Sequence, residues 1–249
     1  MKRILVLMTA LVALLASLAV GEMTADEIIA KHIAATGGEK TLRGVSTLML
    51  KGSMFMEGMP LEIKTYIKLP NKSYVEATSN NMVMGGGGTN GTDAWATQMG
   101  QTFILEGEQK NAAMKQVDRF PLLDYKTKGA KANYAGEDLV KGAKAYKVEF
   151  VTKDNDTTVY FFDATTFYIV KEKEASSTTT FSGHKPVNGV VFPFKINSTI
   201  DAGGRTMQQM VTIDSIAING AVPESLFVMP KNAQPIPKAP GGAPGGEGN

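Results

Sequence analysis

From Val45 to Leu69 the side chains alternate between apolar and polar with a period of two. The stretch Leu61-Glu62-Ile63-Lys64-Thr65-Tyr66-Ile67-Lys68-Leu69 is apolar at odd positions, Thr65 apart, and carries charge or a phenol at even ones. A strand of this kind has one dry face and one wet face. The preceding run places Leu48, Leu50, Met54 and Met56 on one side, and a turn near Glu57-Gly58 joins the two. Similar runs continue almost to the end of the chain. Tyr146, Val148 and Phe150 alternate with charge, and Phe192, Phe194, Ile196 and Ile200 alternate with Pro193, Lys195, Asn197 and Thr199. Asn90-Gly91, Asp154-Asn155-Asp156, Asp163 to Thr166, Asn188-Gly189 and Asp201 to Gly204 supply the turns. Strands at regular spacing with turn signals between them predict a mainly β chain of about ten strands, arranged as a large curved antiparallel sheet.

Helical patterning is confined to a few places. Thr24-Ala25-Asp26-Glu27 fits a capping box. Ile28, Ile29, His32 and Ile33 then form one stripe, ended by Gly37-Gly38. A second turn spans Glu39 to Arg43, and a polar segment from Glu106 to Val117 carries only Ala113, Met114 and Val117 as an apolar stripe. A lone helix of this length is marginal in water, so the isoleucine stripe is expected to dock on the dry face of the sheet. The glycine run Gly85 to Gly88 lacks a following Gly-Lys-Ser/Thr and a βαβ setting, so it predicts a bend or weakened strand and no phosphate loop.

The chain of 249 residues opens with Lys2 and Arg3, an apolar run from Ile4 to Ala19, and small residues suited to cleavage near 19–21. This predicts a signal peptide over 1–21, export, and no integral span after cleavage, because the run is short of the ~20 apolar residues a span needs. The main domain is expected over 22–232, and the Pro/Gly/Ala-rich 233–249 reads as a disordered tail. There is no cysteine, so an exported domain must rely on its core rather than on disulfides. Of the 26 basic side chains, 24 remain without Lys2 and Arg3, and they match the 24 acidic ones. That balance argues against nucleic acid as a partner.

Candidate chemistry is sparse. The lack of cysteine excludes a thiol nucleophile, and no Gly-x-Ser-x-Gly elbow is present. His32 and His184 have no second ligand at i+3 or i+4. His32 reads as a half-buried packing residue and His184 as an exposed one near a turn. Asp154 and Asp156 lack the twelve-residue loop of a calcium site. Catalytic residues, metals and cofactors are therefore not expected. Methionine stands out instead: 14 are present, and Met49, Met54, Met56, Met59, Met82 and Met84 crowd the first strands. Such side chains serve either as core filling or as an adaptable apolar lining.

Four motifs in order resemble one family. They are Ile28-Ile29-Ala30-Lys31 with Gly37-Gly38, Asn90-Gly91-Thr92-Asp93-Ala94-Trp95, Gly189-Val190-Val191-Phe192-Pro193-Phe194, and Pro223-Glu224-Ser225-Leu226-Phe227-Val228-Met229-Pro230. Over Thr24 to Pro230 the chain resembles outer-membrane lipoprotein-sorting proteins of the LolA-like superfamily. The resemblance implies an open antiparallel half-barrel with a helical lid over an apolar cavity, located in the periplasm. It implies a binding protein for lipid or lipoprotein acyl chains, with a delivery partner at the inner or outer membrane. The expected cavity set is Leu48, Leu50, Met54, Met56, Ile63, Ile67, Met82, Met84 and Trp95, with Ile28, Ile29 and Ile33 as the lid. A cavity arginine would be Arg43, Arg119 or Arg205. The alternative is a non-enzymatic interaction or stress-sensor module, for which the inner face would be filled by the chain's own side chains.

Overall fold

A computed structural model of the chain describes residues 23–56, 58–202 and 204–236. The expected signal peptide and most of the expected tail lie outside them. The described chain runs on to Ile236, however, and Gln234–Pro235 pairs with a neighbouring strand inside the segment expected to be disordered.

The first half of the chain gives β1 (Thr47–Met56), β2 (Met59–Lys68), β3 (Lys72–Ser79), β4 (Met82–Thr89), β5 (Ala94–Gln98) and β6 (Gln101–Leu105). The second half gives β7 (Lys131–Val140), β8 (Ala143–Val151), β9 (Thr157–Asp163), β10 (Ile169–Lys173) and β11 (Ser177–Ser182). It continues with β12 (Lys185–Val187), β13 (Val190–Phe192), β14 (Lys195–Ala202), β15 (Arg205–Ile218) and β16 (Gln234–Pro235). Three α-helices are described: α1 (Ala25–Ala35), α2 (Glu39–Arg43) and α3 (Gly107–Lys115), with a 3-10 turn at Glu224–Phe227. Fourteen strands form one sheet in the order β16-β6-β5-β4-β3-β2-β1-β15-β14-β11-β10-β9-β8-β7. All its pairings are antiparallel except β16 with β6, and β12–β13 form a separate hairpin. The count exceeds the expected ten because short pairings such as β12–β13 and β16 have no clear alternation in sequence.

The sheet is open, since β16 and β7 stand at its two ends, and it must bend. One buried cluster gathers Ile28 and Ile29 of α1 with Val148, Phe150, Tyr160 and Phe162 of β8 and β9. A second gathers Leu42, Val45 and Val117 with Leu48 of β1 and Ile67 of β2. Ile33 packs against both clusters. Strands β2 and β9 lie six positions apart in the sheet, about 29 Å on a flat surface at ~4.8 Å per strand. One isoleucine reaches both only if the sheet curls around α1. The helix itself starts as the sequence predicts: Glu27 N donates to Thr24 Oγ1 at 3.2 Å, and Thr24 N donates to Glu27 Oε2 at 2.8 Å.

The connection from β6 to β7 crosses the hollow of this curl. It carries α3 and then Val117, Phe120, Leu122, Leu123 and Tyr125, all packed into the two clusters. Surface ion pairs pin it: Lys115 to Asp156 of the β8–β9 turn, Arg43 of α2 to Asp124, Lys126 to Asp26 of α1 at 2.5 Å, and Lys128 to Asp118 at 2.6 Å. The C-terminal segment takes the other side. Gly220 sits against Met49, Glu224 pairs with Lys68 and with Lys72 (2.9 Å), and Gln234–Pro235 closes on β6.

Candidate functional site

Directly opposed residues of paired strands share a face. The register therefore sorts the expected cavity residues without ambiguity. Leu48 opposes Ile67 and Ile218, Leu50 opposes Ile216, Gly52 opposes Ile63, and Met54 opposes Leu61 and Val211. All of these lie on the inner face, toward α1 and the crossing connection. Met56 shares that face by register, while its side chain lies outside the described residues.

The structure divides this set by burial. Leu48 and Ile67 are packed against Leu42, Val45 and Val117, so they belong to the core. Leu50, Met54, Ile63 and Met84 stay half-buried. Met82 is 63% exposed at the β3–β4 end. Trp95 is a correction. It opposes Gly88, which opposes Tyr74, which opposes Tyr66 and through it Met49. This is the outer face, where Trp95 is 2% exposed and its ring occupies the space a Cβ on Gly88 would need, 2.9 Å from ring carbon Cζ2. The Asn-Gly-Thr-Asp-Ala-Trp motif gave no hint of face because Ala94 and Trp95 are both buried. Of the expected lid residues, Ile28 and Ile29 are fully buried on β8 and β9, and Ile33 bridges the clusters.

Between the two covered patches the inner floor keeps partial access. Phe181 opposes Ile196, Ile196 opposes Val211, and Val211 opposes Met54. All four are half-buried, whereas the alternate residues Lys195, Asn197 and Met210 are exposed on the outside. Two open recesses flank the sheet. One, about 300 Å³, lies largely outside, among Phe55, Pro60, Lys195, Asn197 and Met210. The other, about 240 Å³, lies at the strand ends beside Lys141, Ser182 and His184. The expected deep cavity under the helices is instead occupied by the chain's own α1, α2 and crossing connection.

The titratable groups are mostly structural. Burial is the main cause that lowers His32 to about 4, and its Nδ1 lies 2.9 Å from the Phe167 carbonyl. His184 is not exposed as expected: it is half-buried and stacks on Tyr168 with centroids 4.9 Å apart. The fold brings it within electrostatic reach of His32, which nothing in a spacing of this length signals. Of the arginines, Arg43 is held by Glu39 and Asp124, and Arg205 is exposed at the start of β15. Arg119 stands on the crossing connection, where surrounding protein lowers its pKa although its side chain keeps solvent access. Glu172 was missed. Burial, then Glu174, raises its carboxyl to about 7. A glutamate on a strand rich in lysine reads as wet face, and only a bulge between Ile169 and Lys171 turns it inward. Among the described residues no three His, Asp or Glu side chains converge for a metal, and no helix is long and apolar enough to cross a membrane.

No family model and no curated protein matches the chain. Solved structures do. A DUF1329 family protein from Desulfovibrio piger aligns with a TM-score of 0.58 at 10% identity, covering 82% of this chain and 97% of that one. A LolA superfamily protein from Nitrosomonas europaea gives 0.57 at 12% identity over 84% and 99%. A putative outer membrane lipoprotein-sorting protein domain from Vibrio parahaemolyticus gives 0.53 at 11% over 81% and 94%. With an open curled sheet, helices on its inner face and these neighbours, the chain has a LolA-like fold.

Proposed function

We propose that this protein is an exported, periplasmic binding protein that shelters the acyl chains of a lipid or lipoprotein against the inner face of its sheet. The observation that carries the reading is the half-buried inner row Phe181, Ile196, Val211 and Met54. It is apolar surface turned toward a hollow, continuous with floor that the chain's own helices already cover. Fully burying such a side chain from water is worth ~1.5–3 kcal/mol, and completing the burial of a half-buried one about half of that. In this reading α1 and the crossing connection act as the lid. Their apolar residues would give way to the guest's methylenes, apolar for apolar. The ion pairs that pin them are exposed, and such pairs cost little to separate in water. A delivery partner at either membrane would receive the guest.

The second reading, an interaction or stress-sensor module, draws support from the filled inner face around Leu48 and Ile67. One experiment separates the two. Mature protein purified from the envelope is extracted with organic solvent, and the extract is analysed by mass spectrometry; the stripped protein is titrated with an acyl fluorophore. Co-purified lipid and saturable binding are expected. An empty extract with no binding would leave the interaction module standing. Intact mass of the secreted form, with a new N-terminus near 19–21, tests the address.

A further inference from the structure

One row of the inner face is polar. Tyr160 opposes Glu172, Glu172 opposes Thr179, Thr179 opposes Ser198, and Ser198 opposes Gln209. Five successive strands, β9, β10, β11, β14 and β15, thus each present a hydrogen-bonding side chain at one level. The next row on the Met54 side is Phe181, Ile196, Val211, Met54 and Leu61, and on the other side Ile200 opposes Met207. The belt is bounded by apolar residues on the Met54 side; on the other, Ser177 opposes Ile200 and Glu174 lies beside Glu172, so the row is mixed. Period-two patterning places polar groups outside, so a polar row along an inner face departs from what packing asks.

The members differ in how far the chain satisfies them. Thr179 Oγ1 and Ser198 Oγ lie 3.0 Å apart and share a hydrogen bond, and Gln209 Nε2 donates to Met54 Sδ at 2.7 Å. A thioether is a weak acceptor, so Gln209 has better partners to gain. Glu172 has neither a hydrogen bond nor an ion pair with any described residue. It faces Tyr160 on β9 and Glu174 beyond the end of its own strand. Asp118, which also acts on Tyr160, is paired with Lys128. A half-buried acceptor without a partner among the described residues fits a donor supplied from outside the chain.

We infer that the belt Tyr160–Glu172–Thr179–Ser198–Gln209 selects an acyl amphiphile whose headgroup bears hydrogen-bond-donating hydroxyls, with its chain along the Phe181–Ile196–Val211–Met54 row. The inference rests on the acyl-binding reading above. Glu172 accepts from the headgroup, Ser198 and Gln209 exchange their present partners for it, and the apolar row takes the methylenes. At the pH of the titrations below, about 8.5, Glu172 is ionised, and a bare carboxylate headgroup is disfavoured, because it offers no donor to Glu172 and brings a second negative charge against it.

Three twelve-carbon probes of one chain length test this by calorimetric titration at a pH of about 8.5, below their micelle concentrations: monolauroylglycerol, methyl laurate and laurate. The glycerol ester is expected to bind about tenfold more tightly than the methyl ester, the gain of a hydrogen bond to a charged acceptor. Laurate is expected to be the weakest of the three. Glu172→Leu should erase the preference for the glycerol ester while leaving methyl laurate binding in place. Glu172→Gln, which keeps the shape and an acceptor, should retain part of it. Circular dichroism checks that both variants fold. Equal binding of the two esters by the native protein, or a preference untouched by Glu172→Leu and Glu172→Gln, overturns the headgroup assignment and leaves acyl binding intact. Failure of all three probes to bind overturns both.

Discussion

The two wings of the sheet are built from different materials. On β8 and β9 the inner face is aromatic. Tyr125, Phe150, Tyr160 and Phe162 form a chain of ring contacts with centroids 5.8–6.3 Å apart, and His32 of α1 adds an edge contact to Phe162 at 5.3 Å. On β1 to β6 the same face is aliphatic, with Leu48, Leu50, Met54, Leu61, Ile63 and Ile67 on β1 and β2, and Gly85 to Gly88 make up half of β4. Rings have few rotamers and fixed stacking geometry, so the first wing is a rigid seat for α1. Methionine is flexible, and glycine offers no side chain to pack, so the second wing can re-form around a different neighbour. Under the acyl-binding proposal, a guest would sit at the border where the rigid wing ends and the adaptable one begins, which is where the polar belt runs.

The largest effect that would sharpen this contrast is at Phe162, which is fully buried. Phe162→Ala is expected to cost ~3–5 kcal/mol in urea unfolding. Met84→Ala, half-buried in the other wing, should cost clearly less; equal losses would break the distinction.

Backbone fit comes next. A Cβ at Gly52 would run into the Thr212 carbonyl oxygen of β15, whereas one at Gly85 would meet Thr97 O at 3.5 Å, an ordinary contact. Gly52→Ala is expected to lose ~1–3 kcal/mol, and Gly85→Ala little. The same urea series measures both, and similar losses would mean that β4 is as tightly held as the centre of the sheet.

Acidity tests the rigid wing from within. His32 sits at about 4 in the fold against an ordinary 6.5. The unfolded chain therefore takes the proton first, and stability falls as pH drops from 6.5 to 4. Glu172 sits at about 7 against 4.5. There the folded chain takes the proton first, so stability rises as pH drops from 7 to 4.5. Each shift is worth roughly 1–3 kcal/mol. His184 and the paired Asp26, Asp124 and Glu224, all held below their ordinary values, add a fall on acidification common to every variant. Between about pH 7.5 and 4.5 the unfolding midpoint should therefore fall more steeply in Glu172→Gln than in the native protein, and less steeply in His32→Asn. Parallel curves in all three would show that neither group is buried as described. The smallest change is at the exposed rim: Met82→Ala should stay within ~0.5 kcal/mol of the native protein.

Much of the architecture was legible because its signals are local. The capping box at Thr24, the turn at Asn188-Gly189 and the alternation of β2 depend on neighbours one to four residues away. The inner placement of Leu48, Leu50, Met54, Ile63 and Ile67 followed from that alternation. Trp95 did not, because β5 is buried on both faces and alternation then carries no contrast. His184 was likewise expected at the surface and Glu172 carried no signal of its own, and a stacking partner and a bulge place them elsewhere.

By itself the sequence determined that the chain is a meander of strands with an apolar side, led by one capped helix, since period and turn chemistry are properties of short segments. The tertiary structure alone decided how far the sheet curls, which part of its inner face the crossing connection fills, and which rows meet across strands far apart in sequence. Those outcomes depend on register and packing between distant segments, and a one-residue change of register exchanges the faces of a whole strand.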